Sequence, residues 1–157
     1  MAVALVFACM LYMLKDIKLA LLSLLPGLFP VLLLLGVMGY AGITLDIATA
    51  TVAAIVMGIS VDDTIHYMYH YRQAKKVHTT LIEAQRATVR HVGKAIVLTS
   101  LTLFAGYLVL LLASVKTVYY FGLLTAIAIA GALLAQLILF PLLLKTFDKE
   151  PSLVAAP

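Results

Sequence analysis

The sequence predicts an all-α integral membrane protein with five transmembrane helices and a short amphipathic helix on the cytoplasmic side. Of the 157 residues, 64% are hydrophobic and 11% are charged, whereas a soluble domain is about half apolar and a quarter charged. The mean hydropathy is +1.13. The charged residues cluster between long apolar runs, and these runs lack the strict alternation of the strands in a membrane β-barrel.

Five apolar runs are predicted to be helices, at residues 1–14, 19–40, 47–71, 95–115 and 117–144. The last four are long enough to cross a hydrocarbon core of about 30 Å. They define a transmembrane domain over residues 1–145, with a cytoplasmic loop at 72–94 and a polar cytoplasmic tail at 146–157. The first run spans only about 21 Å as a helix. Either the chain begins inside a helix of a longer protein or this span is atypical, and we favour a fragment.

The basic residues predict the orientation, because cytoplasmic loops are enriched in Lys and Arg. If the Lys15–Lys18 loop is cytoplasmic, all of the 11 Lys and Arg residues except Lys116 fall on that side. The C-terminus is then cytoplasmic. The net charge of +4 does not indicate nucleic-acid binding, since the basic residues lie between apolar runs. The single cysteine, Cys9, excludes a disulfide within the chain.

Proline and capping residues mark the ends and irregularities of the helices. Pro26 and Pro30 each remove a backbone donor from the second helix. They predict a kink, which is either a hinge or ordinary membrane proline, and we favour the second. Asp46 precedes the third helix and is predicted to cap it. Thr80 and Glu83 form a capping-box pattern, which starts the predicted amphipathic helix with its basic residues on one face, towards the inner leaflet.

Two adjacent carboxylates, Asp62 and Asp63, interrupt the third apolar run. Asp62 lies ten residues before Arg72, about 15 Å along a helix, and therefore near the membrane midplane. An aspartate at the centre of a membrane helix costs about 2.5–3.5 kcal/mol on insertion scales, so the pair indicates a functional site. Because carboxylates bind and release protons, we predict that Asp62 and Asp63 form a proton relay.

Small residues precede the pair at four-residue spacing: Ala50, Ala54 and Gly58, followed by Asp62. Such a stripe lets another helix approach closely. We therefore predict that this face of the helix packs against a neighbour and buries Asp62.

The candidate partners of the relay are His66, one turn from both aspartates, and three hydroxyls of the fourth helix, those of Thr99, Ser100 and Thr102. Each has a purely structural alternative. Hydroxyls in helices commonly bond to the carbonyls of their own helix, and a membrane histidine is more often structural than part of a relay. Gln136 is the only strongly polar side chain of the fifth helix and should face another helix.

These segments resemble exporters of the resistance–nodulation–division (RND) superfamily, in particular the MMPL-like branch. The segment LDIATATVAAIVMGISVDDTIHYMYHYR is similar to the aspartate-bearing helix of that family. Segments resembling the preceding and following helices stand in the expected order, LLSLLPGLFPVLLLLGVMGYAGITLD before it, and GKAIVLTSLTLFAGYLVLLLAS and FGLLTAIAIAGALLAQLILFPLLL after it. The chain resembles the last five helices of one half of the RND transmembrane domain. One departure is Gln136, where many relatives carry an acidic residue.

The resemblance implies proton-driven export of hydrophobic or lipid-like molecules across a bacterial inner membrane. It assigns proton transfer to Asp62 and Asp63, and a hydroxyl-bearing partner role to Thr99, Ser100 and Thr102. It also implies partners: the bilayer, protons, a lipid-like substrate, and a missing transporter half or a second copy of the chain. No enzymatic activity, metal or other cofactor is expected.

Two alternatives stay open. A non-transporting lipid sensor or assembly subunit, like the sterol-sensing relatives of the same helix set, would use these helices without moving a substrate. A membrane metal oxygenase would use histidine clusters, and His66 and His70 have the required H-x-x-x-H spacing. Such sites need several clusters, whereas His78 and His91 are isolated in the sequence.

Overall fold

The computed structural model describes residues 17–77 and 80–147, with side chains from Leu25 to Thr146 apart from that gap. Its helices are α1 (Ile17–Ala41), α2 (Ile47–Val77), α3 (Leu81–Leu108) with a 3₁₀ turn (Val109–Leu112), α4 (Lys116–Leu134), a π-helical segment (Ala135–Leu139) and α5 (Phe140–Phe147). The described residues contain no strand, which confirms the all-α prediction. The predicted span at 1–14 and most of the polar tail lie outside the described residues.

The helix bounds differ from the predicted ones near the connection between α2 and α3. This end of the molecule is rich in Lys and Arg, and we call it the basic end. Helix α2 continues to Val77, and the predicted amphipathic helix is not a separate element but the first part of α3. No proline interrupts α3, and its Gly93 is buried. A Cβ at Gly93 would make an ordinary contact of 3.9 Å with Leu137 Cδ2, and this glycine lies within the helix rather than at its end.

The length of α3 explains why its charged first part is predicted as a loop although it is helical. Residues Leu81–Leu112 form one apolar rod of 32 residues, about 48 Å long, which exceeds a hydrocarbon core of about 30 Å. The exposed Arg86 and Arg90 lie in the first three turns of this rod, and the enrichment of basic residues at membrane boundaries predicts that this end projects beyond the membrane. Charged residues in a sequence therefore predict the boundary of the membrane, but they do not predict the end of the helix.

Capping residues fix the ends of the helices as predicted. Asp46 Oδ1 accepts the Thr49 N–H at 2.7 Å, and Thr49 Oγ1 accepts the Asp46 N–H at 2.8 Å, which is a reciprocal capping box. The Thr49 N–H lowers the pKa of the Asp46 carboxyl below its ordinary value. Thr80 Oγ1 likewise accepts the Glu83 N–H at 3.3 Å.

Gly42 ends α1 with a φ of +64°, a conformation that a side chain disfavours. The N–H of Ile43 donates to the Met38 carbonyl at 3.0 Å, as in a Schellman motif. The chain thus reverses within five residues between α1 and α2, and the two helices lie side by side.

Helix α2 contacts α1, α3 and α4. One buried cluster lies near the α1–α2 turn, where α1, α2 and α4 meet; its members are Leu34, Met38, Val52, Val56, Leu124 and Ala128. The other lies towards the basic end, where α2, α3 and α5 meet; it comprises Tyr67, Met68, Tyr71, Ala84, Val92, Ile96, Phe140 and Leu144. The middle of α2, which carries the aspartates, lies between these clusters.

The outer surface of the bundle is apolar. Leu32 and Leu98 are each 66% exposed, and Ile138 is 64% exposed. Three helical rods of the described part are long and apolar enough to cross a membrane: Ile47–Val77, Leu81–Leu112 and Lys116–Thr146. Large apolar side chains facing outward along such rods are typical of contact with lipid.

Candidate functional site

A groove of about 480 Å³ runs between α2 and α3 and contains the aspartate pair. Its apolar wall is formed by Ile59, Val92, Ala95, Ile96 and Leu103. Its polar lining consists of Asp62, Asp63, His66, His70, His91 and Thr99. The sequence-predicted aspartates therefore share one groove with His66 and with one hydroxyl of the predicted partner helix.

The two aspartates differ in exposure. The Asp62 side chain is 72% exposed, whereas Asp63 is half-buried. The sequence predicts that Asp62 lies on the packed face, but within this chain Asp63 is the more buried of the two. The reason is that α2 packs through Val52, Val56 and Ser60, a face that lies to one side of the small-residue stripe.

The small-residue stripe itself is open. Ala50, Ala54 and Gly58 are all exposed, and a Cβ built at Gly58 meets no described atom within 4 Å. No helix among the described residues packs on this face. Its packing role stays a prediction, and it concerns a helix from outside the described bundle.

His66 extends the pair towards the basic end of α2. Its Nε2 lies 3.7 Å from Asp62 Oδ1, one turn away. The contact is exposed, so in water it would contribute little to stability. Its relevance is positional, because it places a second proton-binding group next to a carboxylate.

Of the three hydroxyls predicted as partners, only Thr99 lines the groove. Its Oγ1 donates to carbonyls of its own helix, those of Ala95 at 3.0 Å and Ile96 at 3.1 Å. Thr102 is exposed and donates to Leu98 O at 2.8 Å, while Ser100 is buried. The structural alternative for Thr99 and Thr102, bonding within the helix, is the one that the structure contains.

A buried polar network lies behind Asp63 and joins three helices. Gln136 Nε2 donates to Thr64 Oγ1 at 3.0 Å, and Thr64 Oγ1 donates to the Ser60 carbonyl at 2.7 Å. Ser60 Oγ donates to the Pro26 carbonyl of α1 at 3.1 Å. All three side chains of this network are at most 2% exposed. The prediction that Gln136 faces another helix is confirmed.

The proline pair explains why α1 takes part in this network. Pro30 has no N–H, so it cannot donate to the Pro26 carbonyl one turn earlier. Ser60 supplies a donor from the neighbouring helix, and α1 continues through both prolines without a break. Membrane helices tolerate proline where a neighbour satisfies the freed backbone group in this way.

Gln136 stands in the π-helical segment Ala135–Leu139. Such segments are rare and are frequent at functional sites. Pro141 follows and cannot donate to the Leu137 carbonyl, and the Pro141 carbonyl accepts the Gln85 side-chain amide of α3 at 3.0 Å. The helix that holds Gln136 is therefore irregular where it meets α2 and α3.

Sequence reasoning missed His91, which looked isolated. The structure places its ring 5.5 Å from that of His70, measured between ring centroids. The sequence carried no signal for this contact, because it depends on α2 and α3 continuing as helices up to a three-residue connection, where a loop over 72–94 is predicted. No group of three or more His, Cys, Asp or Glu that could hold a metal occurs within 17–77 and 80–147, and His78 lies outside these ranges.

Comparisons with known proteins agree with a membrane fold. A family profile described as Patched SSD, a sterol-sensing domain, matches residues 2–146. A membrane protein of Methanocaldococcus jannaschii is 30% identical over 125 residues, which cover 80% of this chain and 32% of that protein. Protein dispatched homolog 3 of Homo sapiens is 32% identical over 97 residues, covering 62% of this chain and 7% of that protein.

The chain thus spans about one third of the first relative and a small part of the second. No solved structure matches the chain. Together, the profile, the membrane-protein relative and the long apolar helices identify a multi-pass membrane protein.

Proposed function

Because the chain belongs to the Patched SSD family, we propose that it is the membrane portion of a proton-driven exporter of hydrophobic or lipid-like molecules. The observation that carries the proposal is the pair Asp62 and Asp63, which lines a groove in the middle of a membrane-length helix. Carboxylates within membrane segments typically mark ion or proton pathways. The sequence resemblance to the MMPL-like branch of the RND superfamily supports the same assignment.

In this mechanism a proton binds to the aspartate pair from one side of the membrane and leaves to the other. Binding neutralises one carboxylate and so removes the repulsion between two adjacent negative charges. Each proton that crosses a potential of 100 mV supplies about 2.3 kcal/mol, enough to shift a two-state equilibrium appreciably.

The buried polar network next to Asp63 links this change of charge to the contacts between α2 and its neighbouring helices. Thr64 follows Asp63 directly and holds Gln136, and Ser60 holds the Pro26 carbonyl. A shift of α2 on protonation therefore alters contacts to α1 and to the π-helical segment at the same time. His66 and Thr99 line the groove beside the aspartates and act as proton-transfer or hydrogen-bonding partners.

The proposal includes a second membrane half, either in the same polypeptide or as a second copy of the chain. The exposed stripe on α2 supports this, because a close helix contact there would cover Asp62. The proposal places the protein in a bacterial inner membrane, which the RND resemblance implies, with its C-terminus in the cytoplasm, which the distribution of Lys and Arg favours. It needs no cofactor, and it moves protons and substrate without an enzymatic reaction.

A lipid sensor without transport is the second candidate. It is favoured by the match to a sterol-sensing domain and by the apolar wall of the groove, formed by residues such as Ile59 and Leu103. A sensor would bind a lipid and change conformation without net proton movement, so proton flux separates the two functions.

The test uses the full-length protein in liposomes that contain the pH dye pyranine, with the fluorescent amphiphile Nile red as transport probe. We expect Asp62→Asn and Asp63→Asn to abolish proton flux and Nile red export under an imposed pH gradient. Asp46→Asn is the matched control, since it removes a carboxylate outside the groove and asparagine still caps a helix. Flux that survives both groove substitutions would refute proton coupling and leave the sensor.

A further inference from the structure

Two histidines from different helices meet at the basic end of the groove. His70 of α2 is half-buried and His91 of α3 is exposed. Their ring centroids are 5.5 Å apart and the ring planes are inclined by 52°. The pair is brought together only by the α2–α3 hairpin, and no step described above for the aspartates uses it.

The same two histidines line two neighbouring cavities. One is the groove with Asp62 and Asp63. The other, of about 300 Å³, lies closer to the α2–α3 connection, and its remaining lining residues are Gln73, Ala74, Val77, Ala87 and Thr88. His70 and His91 are thus the residues that the two cavities share, and they stand between the aspartate groove and the basic end of the hairpin.

We propose that His70 and His91 form the proton port of the groove, through which protons pass between the aspartate pair and the aqueous phase at the basic end. This inference rests on the proposed function, and it adds the route by which the relay reaches water on that side.

The spacing along α2 supports the route. Asp63, His66 and His70 stand at i, i+3 and i+7, so they lie on one face of the helix. Asp63 and His70 are about 10 Å apart along the helix axis, with His66 between them. Each step is about one helical turn, which a single water molecule or a side-chain rotation can bridge.

An imidazole is suited to this task because one ring nitrogen accepts a proton while the other releases one. In the inward direction, the Asp63 carboxyl gives its proton to a neighbouring water or to His66. That water or His66 passes a proton on to His70 or His91, which takes it up at one ring nitrogen on the groove side and releases the proton of the other nitrogen to water on the cavity side. The histidine is regenerated by a change of tautomer, so no other reactant is consumed.

The charged and titratable neighbours of the port come from both helices. On α2, the ring of Tyr69 lies 5.4 Å from that of His70, and His66 and Asp62 lie on the groove side. On α3, Arg90 and Lys94 flank His91 in sequence and are exposed. Arg90 precedes His91 and so lies nearer the α2–α3 connection, whereas Lys94 lies three residues further along α3, about 4.5 Å towards the groove.

The test measures pyranine-reported proton flux of the full-length protein in liposomes. We expect His70→Gln combined with His91→Gln to slow the flux by about 10-fold or more, since water alone replaces a positioned acid–base group poorly. Arg86→Gln is the matched control on the same helix, outside both cavities, and should keep the flux. When His91→Ala is combined with His70→Gln, the emptied site at residue 91 is exposed, and added imidazole should restore much of the lost flux, whereas a purely structural loss would not respond.

The outcomes separate this inference from the proposed function. If Asp63→Asn abolishes flux but the double histidine variant conducts like the wild type, the port is wrong and the function stands. If the folded variant with His70→Gln and His91→Ala loses flux and imidazole does not restore it, the port is also overturned. If the aspartate variants conduct normally, the proposed function fails first.

Discussion

At the scale of single residues, the hydrogen bond between Gln136 and Thr64 gives a partner to a polar side chain that is buried between helices. The Gln136 amide has one identified partner side chain, Thr64 Oγ1 at 3.0 Å. Thr64 Oγ1 also donates to the Ser60 carbonyl. Removing Thr64 thus leaves a buried amide without its partner, whereas removing Gln136 leaves the Thr64 donor bond intact.

We therefore expect an asymmetric double-mutant cycle. Thr64→Val should destabilise the protein by about 1–3 kcal/mol, the cost of a buried polar group left unsatisfied. Gln136→Leu should cost less, about 0.5–1.5 kcal/mol. The double variant should be more stable than Thr64→Val alone, because both partners are then apolar. Unfolding free energies in detergent with added denaturant measure this, and additive costs would contradict the contact.

The Asp46 cap predicts a pH dependence of stability. Its folded-state pKa is lowered by the Thr49 N–H bond, so its contribution is full above the unfolded-state pKa and is lost as the pH falls through the folded-state pKa. Asp46→Ala should lower the thermal midpoint at about pH 7, with the difference shrinking below about pH 3. Asp46→Asn should show a much weaker pH dependence. An equal effect of Asp46→Ala at both pH values would show that the charge is irrelevant.

At the scale of helices, α1 and α2 are coupled through a proline. Ser60 donates to the Pro26 carbonyl, which Pro30 cannot reach because it lacks an N–H. Ser60→Ala should therefore cost about 1–3 kcal/mol when Pro30 is present. In a Pro30→Ala background the helix regains its own donor, and Ser60→Ala should cost little. Unfolding free energies of the four proteins measure the coupling, and a coupling near zero would mean that Ser60 does not replace the missing donor.

The elements show what sequence alone could predict. Capping at Asp46 and Thr80 was predictable because it depends on residues three apart, and the last four predicted apolar runs fall largely on described helices whose ends differ from the predicted ones. The continuity of α3 was not predictable, since charged residues indicate the membrane boundary and not the end of a helix. The inward-facing Gln136 was predictable from the cost of polarity in lipid, and the same cost singles out Asp62 and Asp63, whose relay role stays a prediction. The meeting of His70 with His91, and the exposure of Asp62, depend on helix register and packing.

At the scale of the whole molecule, the described bundle is incomplete as a membrane-embedded unit. Its own helices leave the Asp62 side chain 72% exposed along a stripe of small residues. A lipid-facing aspartate near the midplane would cost about 2.5–3.5 kcal/mol. A helix that covers the stripe, or water held by it, removes this cost. The small residues favour the helix, because they permit close approach.

Gly58 tests this cover directly. A side chain at Gly58 meets no described atom within 4 Å, and the same holds for Gly36 of α1, so Gly58→Leu and Gly36→Leu should both leave the described bundle folded. If a second helix packs closely on the stripe, Gly58→Leu overpacks that contact at a cost of about 1–3 kcal/mol. Association with the second half should then weaken by about 5- to 150-fold. Exchange of separately tagged halves or copies, followed by co-purification, measures this. Equal behaviour of the two leucine variants would show that no helix covers the stripe at Gly58, and the aspartates would then face a water-filled cavity.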